Sequence, residues 1–177
     1  MSRKCLLDEK NMSYKNKVYV SFDADNDIRY YWLMKAWKQN DGINFNFYDA
    51  HDINNNYDKS EESIKAALME RFRNSKVFVL LVGEHTKYLY RFVRWEIEQA
   101  IKRDLPIIVV NLNGMRFCDY SLCPALVRDE LAVHISYNAK ILQHALENWP
   151  NSYEKHKLNG DDGPYYYKDA VYEKLGL

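Results

Sequence analysis

Hydrophobic and polar positions alternate along this chain in a way that changes period several times. Val18-Tyr19-Val20-Ser21-Phe22 is short, β-branched and aromatic, and stops at the polar cluster Asp23-Ala24-Asp25-Asn26, as a strand should. That cluster offers helix N-caps, so a helix is expected from Asp27. Its apolar face would carry Ile28, Trp32, Leu33, Ala36 and Trp37, and Asp41-Gly42 would end it. Residues 45–48 predict a short second strand with Phe45 and Phe47 on one face. Residues 49–59 hold Asn54-Asn55-Asn56 and several aspartates with neither period, which predicts an exposed loop of the kind that often carries function. Ser60 can cap a second helix with Glu61 and Glu62 in its first turn and Ile64, Ala67, Leu68 and Phe72 facing inward.

The run 77–82 is almost unbroken apolar sequence, the pattern of a strand covered on both faces in a parallel sheet. A helix bearing Val93, Ile97, Ala100 and Ile101 as its buried stripe follows, and 107–110 repeats the buried-strand pattern after Pro106. Strand and helix thus alternate at least three times, which implies parallel strands joined by crossovers: an open doubly wound α/β sandwich. Beyond Asn111 the signal weakens. Residues 134–136 suggest a last strand, 139–149 a helix, and 165–175 a terminal helix after the turn Asn159-Gly160-Asp161-Asp162-Gly163-Pro164. The chain divides into a polar N-terminal segment, 1–17, an α/β domain, 18–137, and a helical extension, 138–177, packed on the same domain.

Length and composition narrow the class. At 177 residues there is room for one domain with a full core, and 47% hydrophobic against 28% charged residues is the balance of a soluble globular protein. Lys+Arg and Asp+Glu are equal at 25 each, so no global field recruits nucleic acid, and weak self-repulsion makes self-association easier. Three cysteines, Cys5, Cys118 and Cys123, form no disulfide framework and point to a reducing cytoplasm. No apolar core of a signal peptide and no run approaching the roughly 20 apolar residues of a span occurs, so no membrane partner is expected.

Ligands of open parallel sheets bind at the carboxyl ends of the strands. Here that edge would gather 22–26, 49–57 and 83–90. Glu96 falls between the buried stripe and the outer face of its helix, one turn from Phe92 and from Ala100, where it would feel both desolvation and a ligand. From the helix pattern alone, an ordinary helix-flank glutamate is the commoner case. The familiar uses of this architecture mostly fail. The first turn lacks the glycines of a dinucleotide-binding loop, no Gly-Lys-Ser/Thr occurs for a P-loop, and no nucleophile elbow is present. A metal-dependent phosphoacceptor would find its acidic pair in Asp23 and Asp25, but Gly83 stands where its aspartate should end the third strand. Cys118-x4-Cys123 with His134 is loosely spaced for zinc and lacks a fourth ligand, so no metal is expected.

Three segments in this order resemble the TIR-like branch of the Toll/interleukin-receptor superfamily, in particular the TIR-like subunit of bacterial Thoeris anti-phage defence. They are Val18-Tyr19-Val20-Ser21-Phe22 with its following acids, Leu80-Leu81-Val82-Gly83 with Thr86, and Arg91-Phe92-Val93-Arg94-Trp95-Glu96-Ile97. The likeness covers about 18–113. It implies a flavodoxin-like three-layer sandwich with a central parallel sheet in strand order 2-1-3-4-5. It also implies cleavage of the nicotinamide-ribose bond of NAD+, with Glu96 as the catalytic carboxylate and a cyclic ADP-ribose-type product read by a downstream effector. NAD+ would be substrate, and no cofactor is implied. On this reading Ser21, Phe22, Asp23, Asp25, Asp49 and Arg91 contact substrate, with His51 a weaker candidate at the same loop. Packing and capping are the competing roles for Phe22, Asp23 and Asp25. The arginines that many eukaryotic members place after the first strand are absent, leaving Arg29 and Arg91 as candidates for the phosphates. Trp95 lies opposite the core stripe of its helix, where it would anchor self-association unless the tyrosine-rich tail covers it. A non-catalytic TIR-like interaction module is the alternative, because one scaffold hosts both functions.

Overall fold

The computed structural model describes residues 18–40, 47–48, 60–89 and 91–177. Six strands form a parallel sheet: β1 (Val18–Ser21), β2 (Phe47–Tyr48), β3 (Val77–Val82), β4 (Ile107–Asn111), β5 (Ala132–Ser136) and β6 (Pro164–Tyr166). Their spatial order is β2-β1-β3-β4-β5-β6, which contains the expected 2-1-3-4-5 and adds a strand at one edge. The helices are α1 (Ile28–Asn40), α2 (Glu61–Arg73), α3 (Phe92–Lys102), α4 (Ala125–Arg128), α5 (Ala139–Asn159) and α6 (Asp169–Lys174).

Strand alternation sends side chains to two separate cores. Val18, Val20, Val77, Val79 and Leu81 face α1, α5 and α6, whereas Tyr19, Phe78, Leu80 and Val82 face α2, α3 and α4. Three layers result. The helix termini are set locally: the Ser60 hydroxyl accepts from the Ser63 amide at 3.3 Å to open α2, and Gly160, with φ 75°, closes α5 while the Asp161 amide donates to the His156 carbonyl.

Several expectations need correction. α1 buries Tyr31 and Met34, not Trp32 and Leu33, which are 50% and 47% exposed. An apolar stripe read from aliphatic and indole side chains misses a helix whose inward anchor is a tyrosine stacked on Phe22 at 4.8 Å. The helix expected to stop at Trp149 runs on to Asn159 through Pro150. Proline removes one backbone donor there, but Trp149 and Tyr153 on either side of it are buried in the sheet-facing core and hold the helix on. The terminal helix expected from Tyr165 is instead strand β6 and the short α6, so the last residues belong to the sheet and the core: Tyr172 is fully buried. Among the described residues no helix is long and apolar enough to cross a membrane.

Candidate functional site

Tyr19 and Ser21 are two residues apart on β1 and therefore point to the same face, toward α3. Glu96, on α3, meets both. The Tyr19 hydroxyl donates to Oε1 at 2.7 Å and the Ser21 hydroxyl donates to Oε2 at 2.5 Å. Glu96 is only 6% exposed, so the inner side of the helix shoulder is where the carboxyl lies. Burial pushes its pKa from 4.5 up to about 7, against the opposing pull of the Ser21 hydrogen bond and then the Tyr19 one. The same burial, reinforced by Glu96 itself, drives the Tyr19 phenol well above its ordinary value, so Tyr19 stays a neutral donor. Its ring is clamped by Phe72, stacked at 3.9 Å, and by Phe78. Tyr19 is the site residue that the sequence reading passed over; the two-residue strand period shared with Ser21 was the available signal.

The carboxyl group forms part of the wall of a cleft of about 530 Å³ at the carboxyl end of β1. Ile64 and Leu68 of α2 and Phe92 of α3 give it apolar walls, Tyr88 of the 3-10 turn Thr86–Tyr88 and Leu89 form a lip, and Arg91 supplies a cation. The Arg91 guanidinium is exposed and only loosely paired, 3.9 Å from Glu61. Tyr88 at this lip is 55% exposed, with the Lys87 ammonium over its ring at 4.9 Å.

The first-strand loop divides its labour. Ser21, Phe22, Asp23 and Asp25 all line the cleft. Phe22, however, is buried and stacked on Tyr31, which ties its ring to the core. Asp23 is buried too, with Oδ1 accepting from the Asp25 and Asn26 amides and Oδ2 accepting from the Asn26 side chain at 2.7 Å. Capping is what its geometry performs. Asp25 is exposed at the rim. Arg29 lies elsewhere, in a separate depression of about 310 Å³ with its guanidinium over Tyr30, and is removed from the Glu96 cleft. Asp49 and His51 fall outside the described residues. Trp95 is half-buried, edge-on to Phe72 at 6.0 Å with Lys65 over its ring, so α2 rather than the tail covers it and little of the indole is free. Cys118, Cys123 and His134 converge despite their loose spacing.

Gly83, which ends β3 on this edge, permits a close approach: a Cβ there would lie 2.3 Å from Asp27 Oδ2. Its amide donates to the Thr86 hydroxyl at 2.9 Å, which turns the chain into the lip of the cleft.

Chemically, the described residues bring a poised carboxyl, neutral hydroxyl donors, apolar walls and the exposed Arg91 cation into a single cleft. A family model described as Thoeris protein ThsB, TIR-like domain, matches residues 19–116. No curated protein matches the chain.

Proposed function

The chain belongs to the Thoeris ThsB TIR-like domain family, which supports a role in Thoeris defence, and from that premise we propose that it is a cytoplasmic enzyme that cleaves the nicotinamide-ribose bond of NAD+. Its product would be a cyclic ADP-ribose-type signal read by a downstream effector. The observation that carries this reading is Glu96, almost wholly buried yet facing the cleft, with both carboxyl oxygens held by hydroxyls.

The reaction asks little of the protein beyond that group. Nicotinamide leaves NAD+ as a neutral molecule, so no acid must protonate it. Positive charge builds on the ribose as the bond breaks, and a fixed carboxylate in a water-poor cleft stabilises that charge. Ser21 and Tyr19 hold the carboxylate in place, so it need not reorganise as the charge develops. Arg91 at the rim is suited to the diphosphate, the exposed ring of Tyr88 to one of the rings, and exposed Asp25 to a ribose hydroxyl. Water capture gives ADP-ribose, whereas an internal nucleophile held against the ribose gives a ring. The apolar walls Ile64, Leu68 and Phe92 favour the second outcome by limiting water. NAD+ is the substrate, and this chemistry needs no cofactor. Self-association fits the zero net charge and the exposed Trp32 and Leu33 of α1 better than it fits Trp95.

Mass spectrometry of the nucleotides formed from NAD+ by the full chain tests the reading, with an infection trigger supplied. Free nicotinamide together with a cyclised ADP-ribose species, both lost in Glu96→Gln, is expected. Nicotinamide release that continues in Glu96→Gln removes the carboxylate from the mechanism; none from either protein leaves the non-catalytic interaction module.

A further inference from the structure

On the α2–α4 side of the sheet, beyond the last matched residue, the chain gathers two thiols and an imidazole. Cys118 and Cys123 sit in the crossover 112–131 between β4 and β5, and His134 is the middle residue of β5, on the same face as Ala132. Their ligand atoms all lie within 4.8 Å of one another. A tetrahedral ion with Zn–S near 2.3 Å and Zn–N near 2.1 Å sets its donors about 3.5–3.8 Å apart. Small side-chain rotations close that difference.

His134 is the unusual member. It is completely buried, and neither Nδ1 nor Nε2 has a hydrogen-bond partner among the described residues. A buried polar group is nearly always satisfied, and in the middle of a strand flanked by Val133 and Ile135 an aliphatic residue would pack without that cost. Both thiols are buried as well.

The loop holding them is shaped independently of any ligand. Asp119 Oδ1 accepts from the Ser121 amide at 2.9 Å, the Ser121 hydroxyl at 2.6 Å and the Leu122 amide at 3.2 Å, while Oδ2 accepts from the Asn113 side chain. The Cys123 amide donates to the Asp119 carbonyl at 2.8 Å, turning the chain back so that the second thiol faces the first. Arg128 Nε donates to the Cys123 carbonyl at 2.8 Å and fixes the far side of the turn. Such outer hydrogen bonds orient ligands in metal centres.

We propose that Cys118, Cys123 and His134 supply three ligands to a buried site for a thiophilic divalent ion of the zinc class, which pins the β4–β5 crossover to β5. Charge favours a divalent ion. Two thiolates and a neutral imidazole around a doubly charged cation make a neutral cluster, the only ionised form of these groups that a dry interior accommodates. The Cys123 thiol donates to the Pro124 carbonyl at 3.7 Å, whereas both ring nitrogens of His134 have no partner among the described residues. Binding exchanges two thiol protons for one cation.

The test uses the reduced full chain, stripped of metal and titrated with zinc alone. Expected are stoichiometric zinc retained through gel filtration, release of about two protons per ion near neutral pH, and a melting midpoint raised by about 5 °C or more. Cys118→Ser/Cys123→Ser should lose all three effects. Wild-type protein that retains no zinc and releases no protons overturns the proposal without reference to any variant. So does equal zinc retention by the double variant, or a Cys118–Cys123 disulfide found by mass in protein purified without reductant.

Discussion

Glu96 is stabilised in one protonation state, and the proposed function needs it in the other. With its folded pKa near 7 and an ordinary value of 4.5, the native protein holds a proton that the unfolded chain has already released between those pH values. The stability contributed by the neutral carboxyl is therefore fully present below about pH 4.5 and lost as pH rises through 7. Linkage sets the loss at about 3 kcal/mol. Glu96→Gln keeps a carbonyl acceptor for one of the two hydroxyls and offers its amide N–H to the other while removing the buried charge, so at pH 8 it should be more stable than wild type, by up to about 3 kcal/mol, and at pH 4.5 almost equally stable. Thermal melts at the two pH values check this. The proposed catalysis would run the opposite way, with the carboxylate as its working form: nicotinamide release should rise through about pH 7 and level off. Ser21→Ala and Tyr19→Phe each remove a hydrogen bond that favours the charged form, so each should move that rising limb to higher pH, measured as nicotinamide release against pH. At this scale the sequence was informative about Glu96, because its neighbours Phe92, Val93 and Ile97 fix which side of the helix is covered. It was silent about Asp23, whose carboxylate looks the same in sequence whether it meets a ligand or caps a turn.

The elements were readable where one period dominated. β3 and β4 are apolar at nearly every position, and α2 carries its cap, its acidic first turn and its inward stripe in a single stretch. α1 failed because tyrosine is amphipathic, and the spacing of Tyr31 and Met34 competes with that of the more apolar Trp32 and Leu33. α5 outran its proline because burial of Trp149 and Tyr153 outweighs one missing backbone bond. Gly83 is an element-scale constraint: the turn between β3 and the 3-10 segment exists because nothing stands between its Cα and the Asp27 carboxylate. Gly83→Ala should cost about 1–3 kcal/mol in urea unfolding, since Asp27 is buried at the foot of α1 and cannot move away freely.

Across the whole molecule, the matched segment and the folding unit differ in extent. The family match ends at residue 116, but the core facing α1 is completed by Ile141, Leu142, Leu146 and Trp149 of α5 and by Tyr172 of α6. The amide of Ser136 on β5 donates to the Tyr172 hydroxyl at 3.4 Å, and Arg116 stacks on its ring at 4.1 Å, so the last helix bridges β5 and the start of the β4–β5 crossover. Tyr172→Ala should therefore destabilise the protein by about 3–5 kcal/mol, and a chain ending at residue 137 should not fold, as circular dichroism would record. The parallel sandwich was legible because its alternation of strand and helix is a long-range regularity; the tail was not, because a three-residue edge strand and a six-residue helix are too short to show a period. Nicotinamide release from NAD+, followed for triggered wild-type protein and Glu96→Gln side by side at pH 8, decides whether Glu96 is the working carboxylate. Turnover is expected in wild type and none above background in the variant, with the variant folded and melting higher; equal turnover in both would remove Glu96 from the reaction.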